Sequence, residues 1–366
     1  MCTSLLYRDA SNRPYLGRTL ELAVDLPYQV AYFPAGTQLA SAVTGHPGSQ
    51  WRTRHAIVAV SMPDAIPTPG VPLGINDLKV VEGLNDAGLT FSVQAYSQAG
   101  GPRPELDATR PAISAADLGT YLLGQFATVS EVKAALNDLQ IVLQPVAILG
   151  GLEMPFHYAV HDATGASLVI EFHHGVRTVY DNPVGVLTNA PPFSWHLTNL
   201  NNYTFLTNVD RSKARFMNFD AEQPGAGIAK AGLPASDTSV DRFIRAVFYA
   251  SFAEKQTEPD RAVQMVAHIM NNFDRPRGIT VDPPEVGSSH LQFQGQDLGH
   301  VPSEFTSWTS ISDLERRRFF LRDGGGMNYV CIDLKELAAS PHFAVRPMAQ
   351  LATPVVEVTG SLLPAA

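Results

Sequence analysis

The sequence opens with MCTSLLYRDASNRPYLGRTLEL (residues 1–22), and this stretch predicts a β-hairpin with a cysteine at its free end. Apolar and β-branched residues run through 3–7 and again through 15–20, and the Asp9 to Arg13 segment between them has the composition of a turn. We therefore expect two paired strands, with Cys2 at the very start of the first one.

Cys2 gains a chemical use once Met1 is removed, which is the usual fate of an initiator methionine before a small side chain. The chain then begins with a cysteine that carries a free α-amine. An α-amine with a pKa of about 7.7–8.0 can take the proton of a thiol with a pKa of about 8.5, so one residue supplies both nucleophile and base. Cys2 is therefore a candidate nucleophile, and the alternative is an ordinary buried cysteine near a terminus.

The second predicted strand ends in Gly17-Arg-Thr-Leu-Glu21, which brings two charged residues toward Cys2. The Arg18 cation favours the thiolate. The Glu21 carboxylate, one pleat away, either holds that arginine or accepts a hydrogen bond from the α-amine. The alternative is an exposed ion pair on a strand.

Two further polar residues stand where a predicted strand or helix meets a loop. Asn189 follows a β-branched strand and precedes two prolines, a rigid position from which its amide can donate to an oxyanion. Arg242 lies in the first turn of a predicted helix, where the helix dipole disfavours a cation that lacks an anionic partner. The alternatives are a simple asparagine turn and a solvated arginine.

Strand and helix signals alternate in blocks along the rest of the chain. Strands are predicted at 30–33, 55–60, 89–95, within 157–188, and at 306–313, 317–321 and 327–333. Helices are predicted at 114–126, from the Thr128–Glu131 capping box to 139, and at 241–252 and 257–271. Because no linker separates these blocks, we expect a single α+β domain over residues 1–366, with two sheets between helix layers.

Composition narrows the classes of function. The 366 residues are 45% hydrophobic and 17% charged, which predicts a globular protein with a large core. A formal charge of −9 without a basic run argues against nucleic acid as a partner. The two cysteines, Cys2 and Cys331, lie too far apart for a CxxC motif, and the histidines show no ligand spacing, so we expect no metal.

Several ordered motifs make the sequence resemble the choloylglycine hydrolase family of N-terminal nucleophile hydrolases, which contains penicillin V acylases and conjugated bile salt hydrolases. These motifs are MCTS at 1–4, GRTLE at 17–21, GLNDAGL at 83–89, VLTNAPPFSWHLTNLNNY at 186–203 and GLPxxDxxxDRFIRA at 232–246. The similarity continues through 271–274 and 308–313 and covers nearly the whole chain.

The resemblance implies a four-layer αββα fold, a homotetramer, and neither cofactor nor metal. It implies that Cys2 is the nucleophile, Arg18 the thiolate partner, Asn189 an oxyanion donor and Arg242 a distal stabilising cation. Glu21 stands where many members carry Asp, which is similar to the branch of the family from Gram-negative bacteria. A second oxyanion donor of the family falls at 94–96, and the sequence leaves that donor open, with a backbone N–H as a substitute.

The resemblance also implies hydrolysis of a linear, non-peptide amide that joins an apolar acid to a small polar amine. We expect penicillin V acylase-like activity, with N-acyl homoserine lactones as a further substrate class. The alternatives are a conjugated bile salt hydrolase, a noncatalytic relative that binds a similar molecule, and a thiol hydrolase whose base is His157 or His196. Segments 22–27, 61–72 and 139–152 are expected to line the acyl pocket.

The expected location of the protein rests on the family resemblance and on the lack of obvious targeting signals in the sequence. No stretch approaches the roughly 18 apolar residues of a membrane span, and the first residues lack the pattern of a signal peptide. We expect a soluble bacterial protein without a membrane partner, cytoplasmic as the sequence is written, or periplasmic if a leader preceded Cys2.

Overall fold

The computed structural model describes residues 1–153, 155–281 and 303–362. Strands are the most frequent regular element of the described chain. In chain order they are β1 Cys2–Arg8, β2 Pro14–Leu22, β3 Gln29–Phe33, β4 Gln38–Ser41, β5 Ser49–Arg52, β6 Ile57–Pro63, β7 Leu78–Asn85, β8 Thr90–Ala95, β9 Ile113–Ser114, β10 Ile141–Val142, β11 Pro145–Val146, β12 Leu152–Glu153, β13 Phe156–His161, β14 Ser167–His173, β15 Val176–Asp181, β16 Val186–Leu187, β17 Lys213–Phe216, β18 Phe219–Glu222, β19 Phe305–Asp313, β20 Arg318–Asp323, β21 Val330–Asp333 and β22 Ala344–Pro347.

The helices of the described ranges fall between these strand blocks. They are α1 Leu118–Gln125, α2 Val129–Ala135, α3 Phe193–Leu200, α4 Ser239–Phe252, α5 Pro259–Met270 and α6 Leu334–Leu337. Short 3₁₀ turns lie at Ile75–Asp77, Ala115–Asp117, Ala147–Leu149, Asn201–Tyr203, Ile228–Gly232, Asn271–Phe273, Met348–Gln350 and Thr359–Leu362. Among the described helices, none has both the length and the apolar character needed to cross a bilayer.

The predicted N-terminal hairpin is confirmed and forms the middle of a six-stranded antiparallel sheet. The strand order is β16-β1-β2-β19-β20-β21. Cys2 pairs with Leu20, and Ser4 pairs with Arg18. Since side chains alternate between the faces of a strand, Cys2, Leu20 and Arg18 share one face, and Glu21 points to the other.

A second antiparallel sheet of eight strands lies against the Cys2 face of the first. Its order is β15-β14-β13-β8-β7-β6-β3-β22. Arg18 of the first sheet reaches Glu82 in β7 and the carbonyl of Val93 in β8, so the two sheets contact each other directly beside Cys2. Buried apolar side chains of both sheets fill the rest of this interface.

Helices cover the outer faces of both sheets, which gives the predicted αββα layers. Helices α4 and α5 pack on the six-stranded sheet, and α1 packs on β7 and β8 of the other sheet. The contact with α5 is close at Gly17, where an added Cβ would lie 2.7 Å from side-chain atoms of Val266 and Met270. A glycine at this position therefore lets the helix approach the strand that carries Arg18 on its opposite face.

Several elements agree with the sequence-based expectations, and others differ from them. The capping box at Thr128 and Glu131 begins α2 as predicted, and Pro259 occupies the first turn of α5. Strand β7 and helix α3 were not predicted, although the motifs at 83–89 and 186–203 overlap them. The predicted strand at 327–333 is shorter and begins only at Val330.

Candidate active site

The thiol of Cys2 lies at the wall of an apolar cavity between the sheets. Cys2 is the first residue of β1 and only 4% exposed. All three segments expected to line this cavity contribute to it, through Leu22 and Leu26, Met62 and Leu149. The other lining residues are Leu20, Tyr28, Lys79, Val80, Val81, Val93, Ala95, Ala115, Ala116 and Phe156, most of them from the eight-stranded sheet and the segment before α1.

Arg18 places a positive charge beside the thiol. Its Nη2 lies 3.6 Å from Cys2 Sγ and also donates to the carbonyl oxygen of Val93. The guanidinium is fully buried and stacks on Trp308, with 4.5 Å between Arg18 Cζ and the ring centroid. This arrangement fixes the guanidinium beside the thiol of Cys2, between the two sheets.

Glu82 is the carboxylate that pairs with Arg18. Its Oε2 lies 3.3 Å from Arg18 Nε, and both side chains are fully buried. Burial raises the pKa of the Glu82 carboxyl to about 7, although the Arg18 charge opposes the shift. Glu82 was not predicted as a site residue, because it belongs to a strand that was not predicted. The sequence had offered Glu21 as a partner of either Arg18 or the α-amine.

Glu21 lies on the opposite face of β2 from the thiol and near the start of the chain. Its backbone exchanges hydrogen bonds with Met1, whose α-amine donates to Glu21 O and lies 3.5 Å from Glu304 Oε2. Burial raises the pKa of the Glu21 carboxyl, opposed by the charges of Arg242 and the α-amine. The negative charge of Glu21 therefore interacts with the chain terminus and with Arg242, whereas Arg18 pairs with Glu82.

Asn189 connects the backbone of Cys2 to the second sheet. It follows β16, and its Oδ1 accepts from the Cys2 N–H at 3.0 Å. Its Nδ2 donates to Ala95 O at 2.8 Å, which uses one of the two amide hydrogens and leaves the second. Asn189 is thus fixed next to the atom that becomes the α-amine when Met1 is removed.

Arg242 binds the same end of β1 from the helix layer. Its Nη1 donates to Cys2 O and, at 2.7 Å, to Thr3 Oγ1, while Nη2 donates to Asn189 Oδ1 at 2.6 Å. Burial lowers the pKa of this guanidinium, and the neighbouring Glu21 and Cys2 raise it. The anionic partner expected for this arginine at the start of α4 is therefore Glu21, which acts through its negative charge. The guanidinium donates its hydrogen bonds to oxygen atoms of Cys2, Thr3 and Asn189.

The position expected for a second oxyanion donor carries no suitable side chain. Residue 95 is an alanine, the Gln94 amide donates to Ser4 Oγ at 2.6 Å, and the Tyr96 hydroxyl lies 2.6 Å from His173 Nδ1. The side chains on either side of Ala95 are therefore engaged elsewhere.

The backbone at Ala95 offers a substitute. The next amide, Tyr96 N–H, donates to Pro155 O in the direction of β13. Since consecutive residues of an antiparallel strand point their amides to alternate sides, the Ala95 N–H points away from β13, to the side on which Ala95 O meets Asn189. This amide is the candidate second donor.

Neither histidine considered as a separate base contacts the thiol. His157 Nδ1 lies 3.1 Å from Glu171 Oε2, and its Nε2 lies 3.1 Å from Thr188 O. His196 Nε2 donates to Asn189 O at 2.9 Å, and burial lowers the pKa of His196 to about 4. Both rings therefore position the loop that carries Asn189.

The sequence predicted no metal site. In 1–153, 155–281 and 303–362, no three His, Cys, Asp or Glu side chains converge in a way that holds an ion.

A family model for linear amide C–N hydrolases of the choloylglycine hydrolase family matches residues 2–339. The chain belongs to the choloylglycine hydrolase family. It is therefore an enzyme of the linear amide C–N hydrolase class, as the sequence motifs predicted.

Relatives within the choloylglycine hydrolase family have two kinds of name. The chain is 26% identical to the bile salt hydrolase/transferase of Lactiplantibacillus plantarum, over 93% of this chain and 97% of the relative. It is 25% identical to the penicillin V acylase of Pectobacterium atrosepticum, over 93% of this chain and 82% of the relative.

Solved structures of choloylglycine hydrolase relatives share the architecture. A mutant conjugated bile acid hydrolase from Clostridium perfringens superposes with a TM-score of 0.77 at 22% identity, covering 97% of this chain and 99% of the other. Penicillin V acylase from Agrobacterium tumefaciens gives a TM-score of 0.71 at 22% identity, covering 94% and 91%. These likenesses confirm the αββα N-terminal nucleophile hydrolase fold.

Proposed function

We propose that this chain is a cysteine N-terminal nucleophile hydrolase that removes an apolar acyl group from a linear amide, in the manner of a penicillin V acylase. The observation that carries the proposal is the Cys2 thiol, which faces an apolar cavity with the Arg18 guanidinium 3.6 Å away. An acyl group in this cavity presents its carbonyl carbon to the thiolate, and the amine half of the substrate remains outside.

The first half of the reaction forms a thioester. After removal of Met1, the nitrogen of Cys2 is a free amine and takes the thiol proton. The thiolate adds to the substrate carbonyl, and the second hydrogen of the Asn189 amide and the Ala95 N–H bind the developing oxyanion. The same amine then gives its proton to the leaving nitrogen, and the C–N bond breaks.

The second half of the reaction releases the acid. Water loses a proton to the α-amine and adds to the thioester carbonyl, and collapse of this intermediate restores the thiol. Arg242 and Asn189 hold the Cys2 backbone throughout, since both bind it directly. No metal or organic cofactor takes part in this scheme.

The identity of the acyl group is the more specific part of the proposal. The pocket wall is almost entirely aliphatic and aromatic, which suits the phenoxyacetyl group of penicillin V and the fatty chain of N-acyl homoserine lactones. Bile salts are the second candidate, and the relative from Lactiplantibacillus plantarum supports them.

The first experiment combines the intact mass of the purified protein with hydrolysis of penicillin V. The Cys331→Ser variant is used, because Cys331 is exposed and competes for a thiol alkylator. We expect a mass without Met1, release of phenoxyacetate, and loss of that release after one alkylation at Cys2.

Each other result has a defined meaning. Hydrolysis by protein that retains Met1 would rule out the α-amine of Cys2 as the base and would favour a separate basic side chain. If Met1 is absent and penicillin V is intact, an N-acyl homoserine lactone and a glycine-conjugated bile salt are tested next. A protein that binds these three amides without cleaving any of them would be a noncatalytic relative, contrary to the proposal.

We also propose self-association into a homotetramer. The β17–β18 hairpin exposes three large apolar side chains at its tip, Phe216, Met217 and Phe219, which are 65%, 92% and 66% exposed. A contiguous apolar patch of this kind supports burial against another copy of the chain.

A further inference from the structure

We propose that Glu82 is a positioning residue that shares the single charge of Arg18 with Cys2, so that ionisation of Glu82 opposes ionisation of the nucleophile. The inference rests on the proposed function, since it concerns Cys2 as nucleophile. It adds a charged side chain from the second sheet to the side chains of Cys2, Arg18, Asn189 and Arg242, which come from the first sheet, the loop after β16 and α4.

The geometry places one cation between two acids. Arg18 Nη2 lies 3.6 Å from Cys2 Sγ, and Arg18 Nε lies 3.3 Å from Glu82 Oε2. Arg18 and Glu82 are fully buried, and Cys2 is 4% exposed. The guanidinium cannot turn from one acid to the other, because Trp308 and the carbonyl of Val93 hold it in place.

Among the residues that the structure describes, Arg18 is the cation that pairs with Glu82, and the neighbouring strands place uncharged side chains opposite it. Ser92 lies directly opposite in β8, and Val60 in β6. Lys79 in β7 is paired with Asp117 at 2.7 Å. Tyr28 is a further titratable side chain of this region, which lines the cavity and packs edge-on against Trp308.

Charge balance in a buried site explains the competition. Proton transfer to the α-amine of Cys2 balances the thiolate itself, but Arg18 carries a single positive charge for the two acids that flank it. An ionised Glu82 therefore leaves less of the Arg18 charge to the thiolate than a protonated Glu82 does. The two acids titrate as a coupled pair rather than independently.

The direction of the pH effect follows from the pKa of Glu82. Burial raises this pKa to about 7, against the opposing charge of Arg18. Below this value Glu82 is mostly neutral, and the whole charge of Arg18 is available to a Cys2 thiolate. Above it Glu82 ionises, neutralises Arg18 and weakens the stabilisation of the thiolate. Replacing Glu82 with a neutral side chain therefore lowers the pH at which Cys2 ionises.

The test is the rate of alkylation of Cys2 by iodoacetamide as a function of pH, which needs no substrate. All variants carry Cys331→Ser, and removal of Met1 is verified by mass. We expect Glu82→Gln to lower the midpoint of the pH profile by about one unit, which makes alkylation below the midpoint roughly 10-fold faster. Glu171→Gln is the matched control, since Glu171 is also fully buried in the same sheet but pairs with His157.

An unchanged or higher midpoint in Glu82→Gln would overturn the proposal, because a purely structural carboxylate either leaves the profile unmoved or loses the help of Arg18. If Glu82→Gln does not fold, Glu82→Asp is measured instead. Its carboxylate lies one methylene further from Arg18, so a lower midpoint supports the proposal and an unchanged one contradicts it.

The experiment separates this inference from the proposed function. A lowered midpoint without penicillin V hydrolysis would leave the charge sharing intact and change only the substrate. Hydrolysis by the unmodified protein with an unmoved midpoint would leave the function intact and remove the role of Glu82.

Discussion

Asn189 is held in the site by hydrogen bonds of both its side chain and its backbone. Its side chain receives hydrogen bonds from the Cys2 N–H and from Arg242, and gives one to Ala95 O. Its backbone is held by Ser239 and by His196. The amide is therefore rigid before substrate arrives, which is the condition under which a donor stabilises an oxyanion best.

Removing this amide tests its role. We expect Asn189→Ala to lower kcat by roughly 10² or more, since one oxyanion donor contributes about 2.7–4 kcal/mol in comparable sites. Turnover is measured on whichever amide proves to be the substrate, with the melting temperature as a check on folding.

Asn182→Ala is the matched control for this variant. Asn182 is a buried asparagine that bonds the turn before β16 and does not contact Cys2. It should lower stability with little effect on kcat. Near-normal turnover in Asn189→Ala would contradict the oxyanion role.

Some residues of the site can be identified from the sequence, and others cannot. Motif resemblance located Cys2, Arg18, Asn189 and Arg242, which the structure brings together around one end of β1. It did not locate Glu82, because nothing in the local sequence distinguishes a carboxylate in β7 that meets Arg18 from one that faces water. That distinction depends on how two sheets pack, and it becomes visible only in three dimensions.

At the scale of elements, the contact between β2 and α5 is closest at Gly17. We expect Gly17→Ala to destabilise the fold by about 1–3 kcal/mol, because the new methyl group overlaps Val266 and Met270, and buried side chains have little room to move. Urea denaturation measures the free energy of unfolding.

Gly100→Ala provides the comparison, since a Cβ there would meet nothing within 4 Å. It should leave the free energy of unfolding nearly unchanged. Equal stability of the two variants would mean that α5 does not pack on β2 as closely as described.

Elements with strong local signals were predictable, and elements with mixed signals were not. Hairpin β1–β2 has a turn between apolar runs, and α2 has a capping box, so both were identified from local chemistry. Strand β7 contains Lys79 and Glu82 among apolar residues, and both are buried or half-buried only because partners from other segments pair with them. Helix α3 follows two prolines and has few strong helix formers.

At the scale of the whole molecule, the exposed hairpin β17–β18 predicts the state of assembly. We expect the unmodified protein to elute as a tetramer, and the triple variant Phe216→Ser, Met217→Ser and Phe219→Ser to elute at or near the 39.6 kDa of one chain. Light scattering coupled to size exclusion gives the mass directly.

Val176→Ser is the control for this change, because Val176 is also exposed, at 51%, but lies on a different strand. It should leave the oligomer intact. A monomeric unmodified protein, or a triple variant that still forms tetramers, would contradict the proposal that this hairpin forms the tetramer interface.

The two sheets contribute unequally to the Cys2 cavity. The hairpin β1–β2 supplies the thiol of Cys2 together with Leu20 and Leu22, while Met62, Val80, Val93 and Phe156 of the other sheet form much of the wall. Substitutions in that wall alter the shape offered to an acyl group without changing the nucleophile or its base. Over evolutionary time, a lineage with this architecture can therefore diversify the acids it releases much more readily than the kind of bond it breaks.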